Sequence, residues 1–396
     1  MASKTQALRS RFEQEVSPPF LRALRAYALR VPLAAPVGAG GTALASRDYL
    51  CVEADFSDDS RGIGFSYIGT LGAMTAIAAL EEFALPVLTA VAAHAGNPFA
   101  VHDALMMATR IQGRAGILMN VISAVDIALW DAAARRGGVS LARLLGSDAE
   151  AVQAYGSGGY YFSQDGLEEL PGELRQWQDL GFSRIKLKVR GDASASEQRR
   201  LAMAREAMGD GAEIMLDFYH AYTDRQQAWR FVQEAAAMRP YWIEDPFAAD
   251  DLASFAWLSR RSGLRLATGE FQSSPAVFDY IGEIGAAAVI QAEAPRCGGV
   301  TGWLRVAESA ERFGMTMHPC WFHQLHAHLV PSVPNGGYVE YFHGTRVLNF
   351  DELIDTALVP ENGRVILPKR PGLGFNFRPD ALGRYTIASR TFTHAG

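Results

Sequence analysis

The chain has 396 residues, 49% of them hydrophobic and 20% charged, which is long enough for one large barrel and a smaller domain. Its formal net charge is −6, and this argues against a surface that binds nucleic acid or an anionic membrane. No apolar run in the sequence approaches the roughly 18 residues that a transmembrane helix needs.

The N-terminus and the cysteines indicate the compartment. Met1–Phe20 is polar and charged and lacks the apolar core of a signal peptide. Cys51, Cys297 and Cys320 form an odd, sparse set without CxxC spacing, which is typical of free thiols in a reducing compartment. We therefore expect a cytoplasmic protein.

Residues 1–150 contain strand and helix patterns but no repeating strand–helix period. The patterns predict strands around Ala26–Val31 and Asp48–Ala54, and helices around Leu71–Val91 and Ala115–Arg136. Between the two strands, the stretch from Val31 to Thr42 is rich in Gly and Pro. We expect this stretch to be a loop, either a surface connector or a mobile lid.

From Val152 onward, short apolar runs that end in a polar residue recur at the spacing of one strand, one helix and two loops. Eight such strands over residues 151–370 fit a closed parallel barrel, in which the strand ends form one mouth. The tail, 371–396, lacks the period and is expected to pack back onto the first domain. The polar residues at the strand ends are Ser157, Lys186 with Lys188, Asp217, Glu244, Glu270, Glu293, Cys320 and Glu340.

Three of these strand ends are carboxylates that predict a metal site. Asp217, Glu244 and Glu270 end consecutive apolar runs, 27 and 26 residues apart. Converging carboxylates repel each other strongly unless a cation holds them. Hard oxygen ligands without sulfur or imidazole favour Mg²⁺. The alternative, three helix N-caps after three strands, leaves the polar residues at the flanking strand ends unexplained.

Several segments together resemble the mandelate racemase-like group of the enolase superfamily, over about residues 20–390. The resemblance implies a modified (β/α)₇β TIM barrel and an α+β capping domain over residues 1–150, completed by the C-terminal tail. It also implies Mg²⁺-dependent removal of the proton α to a carboxylate, with stabilisation of the resulting enediolate. The segments are Ser123-Ala-Val-Asp-Ile-Ala-Leu-Trp-Asp, Lys186-Leu-Lys, Asp217, Trp242-Ile-Glu-Asp-Pro, Thr268-Gly-Glu and Cys297-Gly-Gly-Val-Thr-Gly-Trp.

Lys186 and Lys188 are two residues apart on a strand, so their side chains point to the same face. An unperturbed lysine is mostly protonated at neutral pH. Positive charge from a metal and a second lysine would lower the lysine pKa toward the range of a useful base. The resemblance assigns Lys188 as the base and gives Lys186 the role of neutralising the substrate carboxylate.

The resemblance also assigns the residues around the metal and the substrate carboxylate. It makes Asp217, Glu244 and Glu270 the metal ligands. We expect Asp245, next to Glu244, to point away from the mouth and to have a structural role. Glu340 would hydrogen-bond the substrate carboxylate. Ser157 would lie near that carboxylate, although a simple hydroxyl at a strand end fits this residue equally well.

The second face of the substrate departs from the family pattern. Mandelate racemase-like enzymes place an Asp–His dyad on the sixth and seventh strands, whereas this chain has Glu293 and Cys320 at those positions. A thiol does not perform the acid–base work of an imidazole unless its pKa is lowered. Either His318 or His323 replaces the imidazole through a shift of the loop, or the second face has no imidazole. We favour the second reading.

A further departure is Tyr219, two residues after Asp217. Many relatives have an asparagine there, and some sugar-acid dehydratases have a histidine that protonates the leaving hydroxyl. A phenol with a pKa near 10 can donate a proton to a departing hydroxide. The open alternative is an aromatic side chain that forms the wall of the pocket.

We therefore predict a Mg²⁺-dependent lyase that dehydrates a sugar acid to a 2-keto-3-deoxy product. Lys188 would take the α-proton, and Tyr219 or a histidine from the 318–323 segment would assist departure of the hydroxide. One alternative is a racemase or epimerase of an α-substituted acid, and another is a catalytically silent protein that binds Mg²⁺ and a ligand. We expect a small carboxylate as substrate and a homo-oligomer, either a dimer or an octamer. The substrate would be selected by the stretches Val31–Ala45 and Phe65–Gly72.

Overall fold

The computed structural model describes residues 4–15, 18–39, 42–163, 165–192 and 194–394. An N-terminal α+β domain covers the mouth of a C-terminal barrel. The elements of the first domain are α1 (Lys4–Glu13), β1 (Leu21–Ala39), β2 (Thr42–Phe56), β3 (Arg61–Gly69), α2 (Ala73–Ala79), α3 (Leu85–Ala90), α4 (Pro98–Ala108), α5 (Ile117–Arg136) and α6 (Leu141–Leu144).

The predicted loop between the first two strands is wrong over most of its length. β1 continues through this stretch to Ala39, and Val37 to Ala39 pair with Leu44 to Thr42 of β2. The strand register shifts between Pro32 and Val37, which accommodates the prolines because a bulge does not need every ladder hydrogen bond. Gly40 and Gly41 of the predicted loop lie outside the described residues.

Helix α5 packs unusually closely on strand β3. A β-carbon at Gly62 would lie 2.0 Å from the carbonyl oxygen of Ala128, and one at Gly64 would lie 1.9 Å from that of Ala124. Only glycine permits this approach of strand to helix. The contact places the motif that begins at Ser123 between the cap sheet and the barrel.

Two helical stretches are apolar enough by length and composition to cross a membrane, Ala73–Ala90 and Ile117–Arg136. The second is α5, and 94% of its apolar 18-residue window is buried inside the protein. The first is divided by a π-helical turn at Leu80–Ala84. The prediction that no stretch of the sequence is long and apolar enough to cross a membrane is therefore wrong. The burial of α5 is nevertheless that of a core helix in a globular fold.

The barrel has eight parallel strands and seven intervening helices, which confirms the predicted (β/α)₇β architecture. Its strands follow chain order, and the last strand pairs with the first. The elements are β4 (Ala151–Gly158), α7 (Leu170–Asp179), β5 (Arg184–Lys188), α8 (Ala195–Met208), β6 (Glu213–Asp217), α9 (Arg225–Ala235), β7 (Ile243–Glu244), α10 (Leu252–Ser262), β8 (Leu266–Thr268), α11 (Pro275–Glu283), β9 (Val289–Ile290), α12 (Gly299–Arg312), β10 (Thr316–Met317), α13 (His323–Leu329) and β11 (Val339–Tyr341).

The rest of the chain joins the two parts of the molecule. Strands β12 (Pro360–Glu361) and β13 (Arg364–Ile366) form an antiparallel hairpin beside β4. Helix α14 (Pro379–Tyr385) follows, and β14 (Thr386–Thr393) pairs antiparallel with β1. The tail thus adds a fourth strand to the sheet of the first domain, in the order β14-β1-β2-β3.

Candidate active site

The strand register brings the lysines and two of the carboxylates side by side at the mouth of the barrel. Lys188 lies opposite Asp217, and Asp217 lies opposite Glu244 on the next strand. Ser157 lies opposite Lys186. The carboxyl ends of parallel barrel strands meet at one face, so the period in the sequence becomes a cluster in space.

Lys186 is the centre of a buried ionic network. Its Nζ lies 2.6 Å from Oε1 of Glu244, 2.7 Å from Oε1 of Glu340 and 3.7 Å from Oδ2 of Asp217. Lys188 contacts the same oxygen of Asp217. All of these acids are buried, so the two ammonium groups compensate charges that water cannot reach.

The three predicted metal ligands behave as a repelling anionic cluster. Burial and the charge of Asp217 raise the pKa of Glu244 well above its ordinary value, and burial also raises the pKa of Glu270. Burial raises the pKa of Asp217 too, but Lys188 and Lys186 outweigh this and lower it. Crowded carboxylate oxygens fit a hard divalent cation.

Neighbouring donors hold the carboxylate of Glu244, one of the three predicted ligands, in a fixed orientation. Oε2 of Glu244 accepts hydrogen bonds from Nε1 of Trp242 at 3.0 Å and from Nε2 of Gln291 at 2.7 Å. Supporting donors of this kind orient a metal-binding carboxylate. The donor set and its support therefore fit Mg²⁺.

Asp245 differs from its prediction. It was expected to point away from the mouth, but its carboxylate, Glu270 and His220 each offer one ligand atom, and these atoms lie within 4.8 Å of one another. Burial and Glu270 raise the pKa of Asp245 well above its ordinary value. This set contains an imidazole, which Mg²⁺ favours less than carboxylate oxygen.

Several non-glycine residues around the mouth have left-handed backbones. Tyr219, His220, Asp245, Trp321 and Phe322 have φ values between 34° and 64°. Such conformations are costly and persist only when their surroundings hold them. The His220 amide donates to the carbonyl of Asp245 at 2.7 Å, which ties two of these turns together.

Lys188 lies in an aromatic and anionic environment. Its Nζ is 4.8 Å from the ring centre of Tyr219 and 5.6 Å from that of Tyr160. Burial lowers the pKa of Lys188, but Asp217 and other acids outweigh burial and raise it well above its ordinary value. The expected lowering depends on a cation that holds these carboxylates.

Tyr219 lies in the cleft, where it could act either as a proton donor or as part of the pocket wall. It lines the same cleft as Lys188, and its amide donates to Oδ1 of Asp217 at 3.0 Å. Burial, then the charge of Glu270, raises the pKa of its phenol. Both readings of this residue, as a proton donor and as a pocket wall, fit this position.

Glu293 and Cys320 occupy different environments. Glu293 lines the cleft, and burial raises the pKa of its carboxyl to about 7 while Arg296 lowers it. Cys320 is fully buried and does not line the cleft, and its Sγ lies 3.6 Å from the carbonyl oxygen of Gln291. Burial raises the pKa of this thiol well above its ordinary value, so Cys320 has the properties of a packing residue.

The proposed replacement of the imidazole by His318 or His323 is not supported by their positions. Neither residue lines the cleft. Nδ1 of His318 accepts the amide of Tyr338 at 3.0 Å, while its ring packs against Trp242 inside the barrel. His323 packs against Tyr341. Burial lowers the pKa of both histidines to about 3, so both are neutral at physiological pH.

Two residues near the expected substrate carboxylate are buried at the mouth. Glu340 receives the amide of Trp321 at 2.7 Å on Oε2, while its other carboxylate oxygen faces Lys186. Ser157 is buried, and its hydroxyl has no hydrogen-bond partner within the described residues. A buried hydroxyl without a partner is costly, so a ligand oxygen is a fitting partner.

Other residues of the cleft were not predicted from the sequence. The cleft has a volume of about 320 Å³ and adds Arg47, Tyr160, Arg296 and Trp321 to the predicted residues. Both stretches predicted to select the substrate also reach it, Val31–Ala45 through Leu44 and Phe65–Gly72 through the residues 67–70. Tyr160 lies just after the first barrel strand, and Arg296 lies just before the Cys297-Gly-Gly segment that carries the family resemblance. Their positions in the sequence could therefore have marked both residues as candidates for the cleft. Arg47 comes from β2 of the first domain, where no pattern marked it.

Comparisons with known proteins cover both domains. The family described as mandelate racemase / muconate lactonizing enzyme, N-terminal domain, matches residues 24–146. The family described as enolase C-terminal domain-like matches residues 169–381. The chain is 31% identical over 324 residues to L-talarate/galactarate dehydratase of Salmonella typhimurium, covering 82% of this chain and 79% of that protein.

Solved structures share the fold over nearly the whole chain. One is L-talarate dehydratase from Polaromonas sp. JS666, complexed with Mg and L-glucarate. It has a TM-score of 0.86 and 29% identity, covering 95% of this chain and all of that one. Another is a racemase from Streptomyces coelicolor with bound magnesium, at a TM-score of 0.85 and 26% identity, covering 93% of this chain and all of that one.

Proposed function

Because the chain belongs to the mandelate racemase / muconate lactonizing enzyme family of the enolase superfamily, we propose that it is a Mg²⁺-dependent hydro-lyase that dehydrates a sugar acid. The observation that carries the proposal is the pairing of Lys188 with Asp217 at a mouth that also holds Glu244 and Glu270. This arrangement suits removal of a proton next to a carboxylate. The relatives named as sugar-acid dehydratases support the same reaction.

Asp217, Glu244 and Glu270 are the residues that would hold Mg²⁺. When bound, the ion supplies Lewis-acid stabilisation of the negative charge that grows on the substrate carboxylate as the α-proton leaves. Lys186 adds a second positive charge beside that carboxylate, and Glu340 keeps Lys186 in place through their 2.7 Å contact. Ser157 offers a hydroxyl on the neighbouring strand.

Dehydration breaks the C–H bond at the α-carbon and the C–O bond at the β-carbon, and a final enol-to-keto step completes the reaction. Lys188, in its neutral form, takes the proton from the α-carbon, and the electron pair of that C–H bond enters the enediolate of the adjacent carboxylate. As the β-hydroxyl departs, this electron pair forms the double bond between the α- and β-carbons. The β-hydroxyl leaves with its bonding pair and takes a proton from an acid of the enzyme, giving water. The enol that remains gains a proton at the β-carbon, loses the proton of its enol hydroxyl and becomes the 2-keto-3-deoxy acid.

Glu293 is the group that best fits the acid. It follows β9, which stands four strands from β5 in the eight-stranded barrel, so it faces Lys188 across the mouth. A carboxyl with a pKa of about 7 is partly protonated at neutral pH, which suits general acid catalysis. The phenol of Tyr219 is a weaker donor because burial raises its pKa.

A screen of diastereomeric mono- and dicarboxylic sugar acids, read out by formation of the 2-keto product, tests this function. The wild-type protein with Mg²⁺ should convert at least one acid, and Lys188→Met should abolish the conversion. An unchanged rate in the Lys188→Met protein contradicts the proposal. As a control, thermal unfolding must show that the Lys188→Met protein is folded.

A second candidate function, racemisation or epimerisation, is favoured by the placement of Lys188 and Glu293 on opposite sides of the mouth. Racemisation requires one base on each face of the α-carbon. The relative from Streptomyces coelicolor is described as a racemase. Exchange of the α-proton in ²H₂O with loss of chirality and without formation of a keto acid decides for this alternative.

We also propose that the enzyme is cytoplasmic and forms a homo-oligomer. The three cysteines are free and buried, as expected in a reducing compartment. Exposed apolar side chains on the first domain, Leu71, Met74, Met107 and Ile111, are typical of surfaces that another subunit covers. Light scattering after size-exclusion chromatography tests the oligomeric state, and a monomer at working concentration contradicts it.

A further inference from the structure

The cleft contains a buried cation that the proposed reaction does not use. Arg47 on β2 is only 2% exposed, and it lines the cleft together with Lys188. Its Nε donates to the carbonyl of Val347 at 2.7 Å, and its Nη1 donates to the hydroxyl of Tyr67 at 2.9 Å. The guanidinium lies 4.4 Å from the ring centre of Trp321. These contacts fix the position of the group.

No carboxylate neutralises this guanidinium. In the part of the chain that the structure describes, the hydrogen bonds of Arg47 go to neutral oxygens, and no Asp or Glu oxygen lies within 4.0 Å of it. Other buried or cleft-lining arginines do have such a partner. Arg200 has Glu197 at 3.5 Å, and Arg296 has Glu293 at 3.3 Å. A buried charge without a counter-ion is costly, so Arg47 fits a site that receives an anion from outside.

Arg47 lies apart from Lys186, the residue proposed to lie beside the substrate carboxylate that is next to the α-carbon. The indole of Trp321 stacks with the ring of Tyr67 at 4.9 Å and lies beneath the Arg47 guanidinium. The amide of Trp321 donates to Glu340, which in turn contacts Lys186. Arg47 therefore lines the cleft from the first domain, whereas Lys188 lines it from the barrel, and Lys186 is buried behind Glu340.

Arg47 is also the cation that the first domain contributes to the cleft. The other described residues of that domain that line it are uncharged: Leu44, Tyr67, Ile68, Gly69 and Thr70. A planar guanidinium binds a carboxylate through two parallel hydrogen bonds. A cavity of about 320 Å³ lies at the lower end of the range for small-molecule sites.

We propose that Arg47 binds the second carboxylate of a dicarboxylic sugar acid, so that the enzyme selects aldaric acids over the aldonic acids of the same configuration. This inference rests on the proposed dehydration. One end of the substrate would lie at Lys186 and the metal ligands, and the other end would neutralise Arg47. Arg47 is then a specificity-determining residue and takes no part in proton transfer.

The test compares each hexaric acid with the hexonic acid of the same configuration. In the wild-type enzyme, kcat/KM should be higher for the diacid. Arg47→Met should lower kcat/KM for the diacid by about 100-fold, because a charge-assisted pair is lost, and should change it little for the monoacid. A wild-type preference for the hexonic acid, or an equal loss on both substrates, overturns the inference.

Three further proteins separate binding from misfolding. Arg47→Lys keeps the charge and should retain part of the preference, while added guanidinium should partly restore the diacid activity of Arg47→Ala. Arg25→Met is the matched control, since Arg25 lies on the same sheet but pairs with Glu53 and Asp55. It should leave the preference unchanged. If Arg25→Met also loses the preference for the diacid, the effect of the Arg47 variants comes from damage to the sheet, and the inference is overturned.

Binding without turnover gives a second readout. In a Lys188→Met background with Mg²⁺, calorimetric titration should show tighter binding of the hexaric acid than of the hexonic acid. Adding Arg47→Met should remove that difference, and its persistence overturns the inference. If the wild-type enzyme converts hexonic acids and Arg47 does not affect selectivity, this inference fails while the proposed dehydration stands. If it converts neither class, both fail.

Discussion

Glu293 and Arg296 form an ion pair at the cleft, with 3.3 Å between Oε2 and Nε. The other carboxylate oxygen of Glu293 is buried and has no hydrogen-bond partner within the described residues. One oxygen is therefore held by a cation while the other is free to carry a proton. This arrangement suits the proposed role of Glu293 as the acid that protonates the leaving hydroxyl.

Replacement of Glu293 by Gln should stop dehydration while leaving the protein folded. General acid catalysis contributes about 10²- to 10⁴-fold, so we expect kcat to fall within that range. Exchange of the substrate α-proton in ²H₂O, followed by NMR, should continue because Lys188 is intact. Cys320→Ser is the comparison, and it should retain most activity because the thiol does not line the cleft. Equal losses in both variants contradict the assignment of Glu293.

The rate of dehydration should fall as the pH rises through about 7. The folded-state pKa of Glu293 is raised from 4.5 to about 7, so the protonated form that donates the proton is present below that value and is lost above it. The same shift means that the stability contributed by this proton is complete below about 4.5 and disappears as pH rises through 7. A profile of kcat/KM on both sides of pH 7 measures the first effect. If the fall in kcat/KM above pH 7 persists unchanged in Glu293→Gln, a group other than Glu293 causes it.

Removal of Mg²⁺ should abolish activity and lower the thermal stability of the protein. A cation that binds the folded state alone raises the melting temperature, and here it also relieves the repulsion among three buried carboxylates. Adding Mg²⁺ back should restore both properties. In Glu244→Gln, the melting temperature should respond much less to Mg²⁺. Full activity in excess chelator, without bound ion, contradicts the metal assignment.

Replacement of Asp131 by Asn should destabilise the junction of the two domains. The Asp131 carboxylate accepts the amides of Ile63 at 2.8 Å and Leu373 at 2.7 Å, and Nε of Arg135 at 2.7 Å. Breaking a buried charged network by removing one partner typically costs about 3–5 kcal/mol in the free energy of unfolding. Urea denaturation measures the loss. Asp210→Asn, in an exposed pair with Arg239, is the control and should have little effect.

The barrel and the centre of the site could be predicted because both depend on local order in the chain. The apolar runs before Asp217, Glu244 and Glu270 are parallel strands of the barrel, and the carboxyl ends of such strands meet at one face, so the spacing of the three acids already implies their convergence. Lys186 and Lys188 share a face for the same reason. The family resemblance added the roles of these residues.

The depth of a side chain could not be predicted in the same way. His318 lies two residues before Cys320 and directly follows β10, yet its ring packs inside the barrel against Trp242. A strand of two residues gives too little alternation to say which side chains face the mouth and which face the interior. Asp245 differed for a related reason, since its left-handed backbone turns the side chain toward Glu270.

The sequence by itself determined the barrel, the acid triad and the lysine pair, because neighbouring parallel strands convert a period along the chain into proximity in space. Only the tertiary structure decided that Arg47 enters the cleft beside the two predicted stretches of the first domain. Arg47 lies 141 residues before Lys188, on a strand outside the period, and it reaches the cleft only because the first domain covers the mouth. Burial then gives Arg47 and Glu293 their chemical significance, since the cost of an isolated charge depends on the surrounding atoms rather than on the neighbours in sequence.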